Sequence, residues 1–255
     1  MRSSVFFYLT YTLCLCLSLL CVLFVICWSS RWRGGFSWDG SALQFNWHPV
    51  LMVSGLVVLY GNAAVVYRVP FTWRQRKYTW KLVHAGLMLL SLLVSVLGLC
   101  AVFDFHRGFH INDLYSLHSW VGICTVALFA FQWILGLAGF LFPCSSLWFR
   151  RNLKPVHVWV GKAILILSLT SCISGINEKL LLASGEPYSS LPVEAKFANS
   201  LGLLIVAFGL VVFGILSINK WQRPETEGEG VHVSMDDSGH RVTVDQYHLK
   251  RKTQC

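Results

Sequence analysis

Long apolar runs alternate with short polar segments along this chain. Six runs stand out, at about 6–28, 48–67, 82–103, 117–142, 156–176 and 199–218. A helix needs about 20 consecutive apolar residues to cross a bilayer, so each run predicts a spanning helix. The runs are too long and too continuous for barrel strands, whose apolar positions alternate. Only helices and closed barrels satisfy their backbone in lipid. The pattern therefore predicts an all-α membrane protein of six transmembrane helices, one domain at 1–222. The polar, Gly-containing tail at 223–255 has no apolar period and reads as disordered. The first run is preceded by a single basic residue, Arg2, and ends without a small-x-small cleavage pattern, so an uncleaved helix is expected rather than a signal peptide.

Composition sharpens this picture. The chain of 255 residues is 55% hydrophobic and 13% charged, which excludes an ordinary soluble domain. Its net charge of +9 reads as topology rather than nucleic-acid binding, because short loops rich in Lys and Arg stay in the cytosol. The loop between helices two and three holds Arg68, Arg74, Arg76, Lys77 and Lys81, and the next even loop holds Arg150, Arg151 and Lys154. The alternate loops at 104–116 and 178–198 carry no net positive charge. Both termini and the even loops are thus expected on the inner, cytosolic side. The pair Arg31 and Arg33 on the outer side runs mildly against this. The nine cysteines show no Cys-x-x-Cys or Cys-x-x-Cys-His spacing, so neither a disulfide framework nor covalent haem attachment is indicated.

Four of the nine histidines, His48, His84, His118 and His157, stand at or just inside helix starts. Successive helices reverse direction. His48 and His118 are therefore expected at one depth near the outer face, and His84 with His157 at one depth near the inner face. An up-down bundle of helices two to five can bring each pair together. Two imidazole pairs, one near each face, suit two bis-histidine haems, and polar groups at such depth tend to be functional. Gly122 and Gly161 lie four residues past His118 and His157, and Gly136 and Gly175 lie eighteen past them. On a helix these positions share the histidine's face, so that face is bare where a macrocycle would need room. Close helix packing is the other explanation for such glycines. Direct zinc or proton transport by the histidines competes with haem, although such sites usually recruit carboxylates inside the bundle.

Lys77, Lys81 and His84 are spaced i, i+4, i+7, so they share one face if helix three begins near Lys77. Arg68 and Arg150 point into the same inner region. This cluster suits a small anion beside a haem, or haem propionates; the topology rule alone also explains basic residues there. On the outer side Tyr115 precedes His118 by three residues, and His106 and His110 lie in the outer loop where an acceptor would dock.

The segments FNWHPVLM, KLVHAGL, NDLYSLHSWVG, KPVHVWVG and SGINEKL closely resemble the cytochrome b561 family of ascorbate-dependent transmembrane electron carriers. The likeness spans about residues 30–222, with the four histidines in the family's order and separated by 36, 34 and 39 residues. RWRGGFSWDG and YSSLPVEAKFANSLG look most like the family's lysosomal branch, an ascorbate-dependent ferrireductase. The resemblance implies that helices two to five form a four-helix bundle holding two haems b. His48 with His118 would ligate the outer one, and His84 with His157 the inner one. It implies that Lys77 and Lys81 bind cytosolic ascorbate with Arg150 nearby, and that Arg68 and Arg223 contact the inner haem. Asp113, Leu114, Tyr115, Ser116 and Glu178 would contact the outer haem, and His106 would stand at the outer acceptor site. The tail departs from the family pattern: its YHLK segment is not a good sorting signal.

The expectation is one-electron transfer from cytosolic ascorbate, over roughly 15–20 Å of a ~30 Å core, to lumenal Fe(III). Lumenal monodehydroascorbate is the other acceptor. The setting expected from the likeness is a lysosomal or late endosomal membrane with the tail in the cytosol. Lipid surrounds the bundle, a homodimer is one open assembly, and no nucleic-acid partner is expected. Two other classes stay open: a metal or proton transporter, and a haem subunit that passes electrons to a quinone or a protein.

Overall fold

The computed structural model describes residues 2–183, 187–224, 232–235 and 241–244. Six helices are long and apolar enough to cross a membrane. They are α1 (Arg2–Trp32), α2 (Ala42–Arg68), α3 (Lys77–Gly108), α4 (Leu117–Leu141), α5 (Leu147–Ala183) and α6 (Val193–Ser217). To within one residue, every apolar run lies inside one of them. The helices outrun the runs, most of all at α5, which starts at Leu147 rather than near 156 and continues to Ala183. Apolarity marks contact with hydrocarbon, whereas a helix continues for as long as its backbone bonds do. Arg150, Arg151 and Lys154 are therefore helical although they belong to a polar segment.

Helix α2 is the innermost: 61% of its apolar window is buried, against at most 33% in any other helix. It is also the least regular. It opens with a 3-10 turn at Ala42–Asn46, widens to π geometry over Val53–Leu59 and closes with a 3-10 turn at Val66–Arg68. Such widened turns inside a helix frequently accompany functional sites.

Hydrogen bonds from side chain to backbone link helices two to five into a ring. Ser91 of α3 donates to the Gly55 carbonyl of α2 at 2.7 Å, and Trp133 of α4 donates to the Ala85 carbonyl of α3 at 3.0 Å. Gln132 of α4 donates to the His157 carbonyl of α5 at 2.6 Å, and Tyr60 of α2 donates to the Gly161 carbonyl of α5 at 2.8 Å. Polar ties of this kind join helices where lipid offers no hydrophobic drive between them. Helices α1 and α6 pair outside the ring, with Phe24 stacked on Phe197 at 4.7 Å, and Phe7 of α1 lies edge-on to Trp221, in the turn after α6, at 5.3 Å.

In the tail, β1 (His232–Met235) pairs antiparallel with β2 (Arg241–Val244), His232 opposite Val244. Val233, Val242, Thr243 and Val244 are β-branched and suit a pleated pair. The remainder of the segment expected to be disordered lies outside the described residues. Seven described cysteines are free; Cys144, between α4 and α5, is disulfide-bonded.

Candidate redox site

His118 is the second residue of α4, and a reciprocal cap fixes where that helix begins. The Ser116 hydroxyl accepts the Ser119 N–H at 3.3 Å, and the Ser119 hydroxyl accepts the Ser116 N–H at 3.1 Å. Two otherwise orphaned donors are satisfied together. His48 follows the 3-10 turn that opens α2, whose Ser41 cap accepts the Leu43 N–H at 3.3 Å. At the other end, His84 and His157 lie two to three turns inside α3 and α5, deeper than expected because those helices start at Lys77 and Leu147.

The bundle brings the four histidines together in two pairs. The His48 and His118 ring centres are 6.1 Å apart with the rings at 84°, and those of His84 and His157 are 6.4 Å apart at 73°. A metal–imidazole bond is about 2 Å long and the ring centre lies about 1 Å behind the nitrogen, so one metal between two trans imidazoles separates their centres by about 6 Å. Both pairs meet that spacing. His48 Nδ1 lies 3.0 Å from the Gly98 carbonyl, His84 Nδ1 2.9 Å from that of Ala63, and His118 Nδ1 2.9 Å from that of Ser171. A carbonyl can only accept, so each of these Nδ1 atoms carries the proton and leaves the Nε2 lone pair available to a metal. His157 Nδ1 has no such acceptor.

Among the described residues, no three His, Cys, Asp or Glu side chains converge. Each pair offers two nitrogens only, which fits an ion whose other donors come from its own macrocycle.

The glycines serve the rings. A Cβ at Gly175 would lie 2.6 Å from Cε1 of His118, and one at Gly136 would lie 3.0 Å from Cε1 of His157. The far-end glycine of each helix thus makes room for the imidazole of the other helix. A Cβ at Gly122 would meet Ser171 Oγ at 3.2 Å and one at Gly161 would meet Tyr60 at 3.7 Å, both helix–helix approaches.

At the basic end, Lys77 and Lys81 are half-buried on the His84 face of α3, while Tyr78 and Leu82 are exposed. Arg68 donates to the Leu216 and Ile218 carbonyls at 2.7 and 3.1 Å, capping α6. Arg223 donates to the Gln75 carbonyl at 2.5 Å and has a buried Nη1 without a partner. Its charge acts on Tyr67, whose ring lies 5.4 Å from that of His84. That orphaned donor beside the pair suits a carboxylate of a bound haem. Arg150 donates to the Phe142 carbonyl at 2.6 Å, at the end of α4.

At the other end a cavity of about 340 Å³ opens beside His118, lined by Tyr115, Ser116, Ser174, Asn177 and Glu178 among others. His106 Nδ1 lies 3.0 Å from the Asp113 carboxylate, and its ring centre lies 6.1 Å from that of Tyr115. Burial first, then the hydrogen bond and negative charge of Glu178, push the Tyr115 phenol up to about 12. Leu114 holds a left-handed backbone with φ 54, and its carbonyl accepts the Trp120 indole at 2.9 Å.

The eukaryotic cytochrome b561 family model matches residues 47–183, which contain all four histidines. The chain belongs to the eukaryotic cytochrome b561 family. Membership implies haem binding. The chain is 60% identical over 239 residues to the lysosomal membrane ascorbate-dependent ferrireductase CYB561A3 of Danio rerio, covering 91% of this chain and 97% of that one. It is 56% identical to the protein of the same name from Homo sapiens, covering 86% and 92%. It is 45% identical to the plasma membrane ascorbate-dependent reductase CYBRD1 of Xenopus laevis, covering 84% and 76%.

Within this cytochrome b561, sequence reasoning missed the acceptors on Gly98, Ala63 and Ser171, since backbone carbonyls carry no residue signal. It also missed Phe45, whose ring lies 6.0 Å from that of His48, and Lys179, whose ammonium lies 3.8 Å over the Phe45 ring. The adjacent Glu178 was read, but nothing in the spacing singles out its neighbour.

Proposed function

We propose that this protein carries single electrons across a lysosomal membrane, from cytosolic ascorbate to lumenal ferric iron, using two haems b. The observation that carries this reading is the pair of imidazole pairs, with ring centres 6.1 and 6.4 Å apart. His48 with His118 would hold one haem and His84 with His157 the other, and a bound haem supplies the one-electron chemistry. The names of the CYB561A3 relatives support the donor, the acceptor and the membrane. Lys77 and Lys81 bind the ascorbate monoanion at the basic end, where two ammonium groups offset its charge. Arg150 and Arg223 border that region from α5 and from beyond α6. Ascorbate gives up one electron and one proton there and leaves as monodehydroascorbate. His106, held by Asp113, faces the acceptor at the other end, where Fe(III) gains the electron and leaves as Fe(II). Asp113, Leu114, Tyr115, Ser116 and Glu178 wall the outer haem, and Arg68 holds α6 beside the inner one.

The test is a titration of the purified protein with ascorbate, followed by addition of a ferric chelate. Reduced haem bands should appear and then decay as Fe(II) forms. Bands that ascorbate cannot raise would remove the proposed donor.

A further inference from the structure

Lys179 lies next to Glu178 at the outer end of α5, yet the two side chains face different neighbours. Glu178 binds Tyr115 and lines the cavity. Lys179 is half-buried and lies 3.8 Å over the Phe45 ring, whose centre is 6.0 Å from that of His48. Among the described residues no carboxylate lies within 4.0 Å of this ammonium; the cation–π contact is its seat. The nearby Glu194 is buried and committed elsewhere. It forms an ion pair with Arg33 and accepts the Trp28 indole at 2.8 Å. Arg33 and Glu194 thus form their own ion pair, and the Lys179 ammonium adds a positive charge behind the outer histidine pair. Phe45, Trp28 and Pro49 line the crevice there together with Ser29 and Asn46, and its apolar walls lower the local screening.

We propose that Lys179 tunes the outer redox centre, raising its reduction potential so that the electron is drawn outward from the inner pair. This rests on the haem reading above. Oxidation adds one positive charge between His48 and His118, and a fixed cation behind His48 opposes that addition. The reduced state is favoured by the same field. Lys179 is thus a positioning charge that touches neither substrate nor the ligated iron.

The experiment is a spectroelectrochemical titration of the purified holoprotein, with the outer step identified as the one that His118→Ala removes. Lys179→Gln should lower the outer midpoint potential and leave the inner one where it was, while Lys179→Arg should stay near wild type. Glu194→Gln, which removes one negative charge beside Lys179 and keeps an acceptor for Trp28, should raise the outer midpoint. Opposite shifts from two neutralising changes are not what a merely structural role produces. Unchanged midpoints in Lys179→Gln with both haems retained would overturn the proposal, as would equal shifts in Lys179→Gln and Lys179→Arg. If Lys179→Gln sheds the outer haem, the direction of the Glu194→Gln shift decides. A wild-type protein without haem bands would remove the haem reading itself, which is a different result.

Discussion

An imidazole presents its Nε2 lone pair to iron when Nδ1 carries the proton, and a carbonyl on a neighbouring helix fixes that tautomer in three of the four histidines. Removing either member of a pair should therefore remove one haem and spare the other. His84→Ala or His157→Ala should halve the haem per chain in a pyridine haemochrome assay; full haem content would refute the ligand assignment. Lys81→Ala should keep both haems and slow reduction by ascorbate about tenfold in stopped flow, the size of one charge-assisted contact of about 1.4 kcal/mol. Tyr115 keeps its proton up to about 12. A raised phenol is neutral throughout the acid and neutral range, so Tyr115→Phe should leave the pH profile of chelate reduction unmoved between about pH 5 and 8. The histidine pairs were legible in the sequence, because helix reversal fixes relative depth. The role of Lys179 was not, because a cation over an aromatic face depends on α5 and the opening turn of α2 meeting across the bundle.

Among the elements, α4 and α5 depend on each other most closely. Each carries a histidine at one end and, at the other, a glycine against which its partner's histidine rests. Gly175→Ala would set a methyl 2.6 Å from the His118 ring, so it should displace that ring and perturb or lose the outer haem signal. Gly202→Ala in α6 faces nothing within 4 Å and should leave both spectra as they are. A difference in haem spectra between these two variants checks the claim, and equal behaviour would contradict it. The spanning elements could be read from apolarity because hydrocarbon contact imposes it residue by residue. Their ends could not. The turn at Ser116 that sets the depth of His118 is a contest between two serine hydroxyls and the chain, and hydropathy does not record it. The widened turns of α2 at Val53–Leu59 escaped notice for the same reason, since their residues are as apolar as those of any regular helix.

For the molecule as a whole, function depends on direction. Lys77 and Lys81 stand at one end of the bundle with Arg150 and Arg223, while the cavity beside His118 and the His106–Asp113 pair stand at the other. Alternation of helix direction and the basic even loops put the first end in the cytosol. Such a molecule should act vectorially. Reconstituted into sealed vesicles, the fraction whose basic end faces an ascorbate-filled interior should reduce a membrane-impermeant ferric chelate outside. Fe(II) would be read with an impermeant colorimetric chelator. The fraction inserted the other way round presents the His106 end to internal ascorbate and should reduce the external chelate far more slowly. Protease trimming of the tail, accessible only when the basic end faces outward, separates the two populations before the rate is measured. Equal rates from both would mean that Lys77 and Lys81 confer no donor preference, and that the charge asymmetry records how the chain was inserted rather than which way its electrons travel.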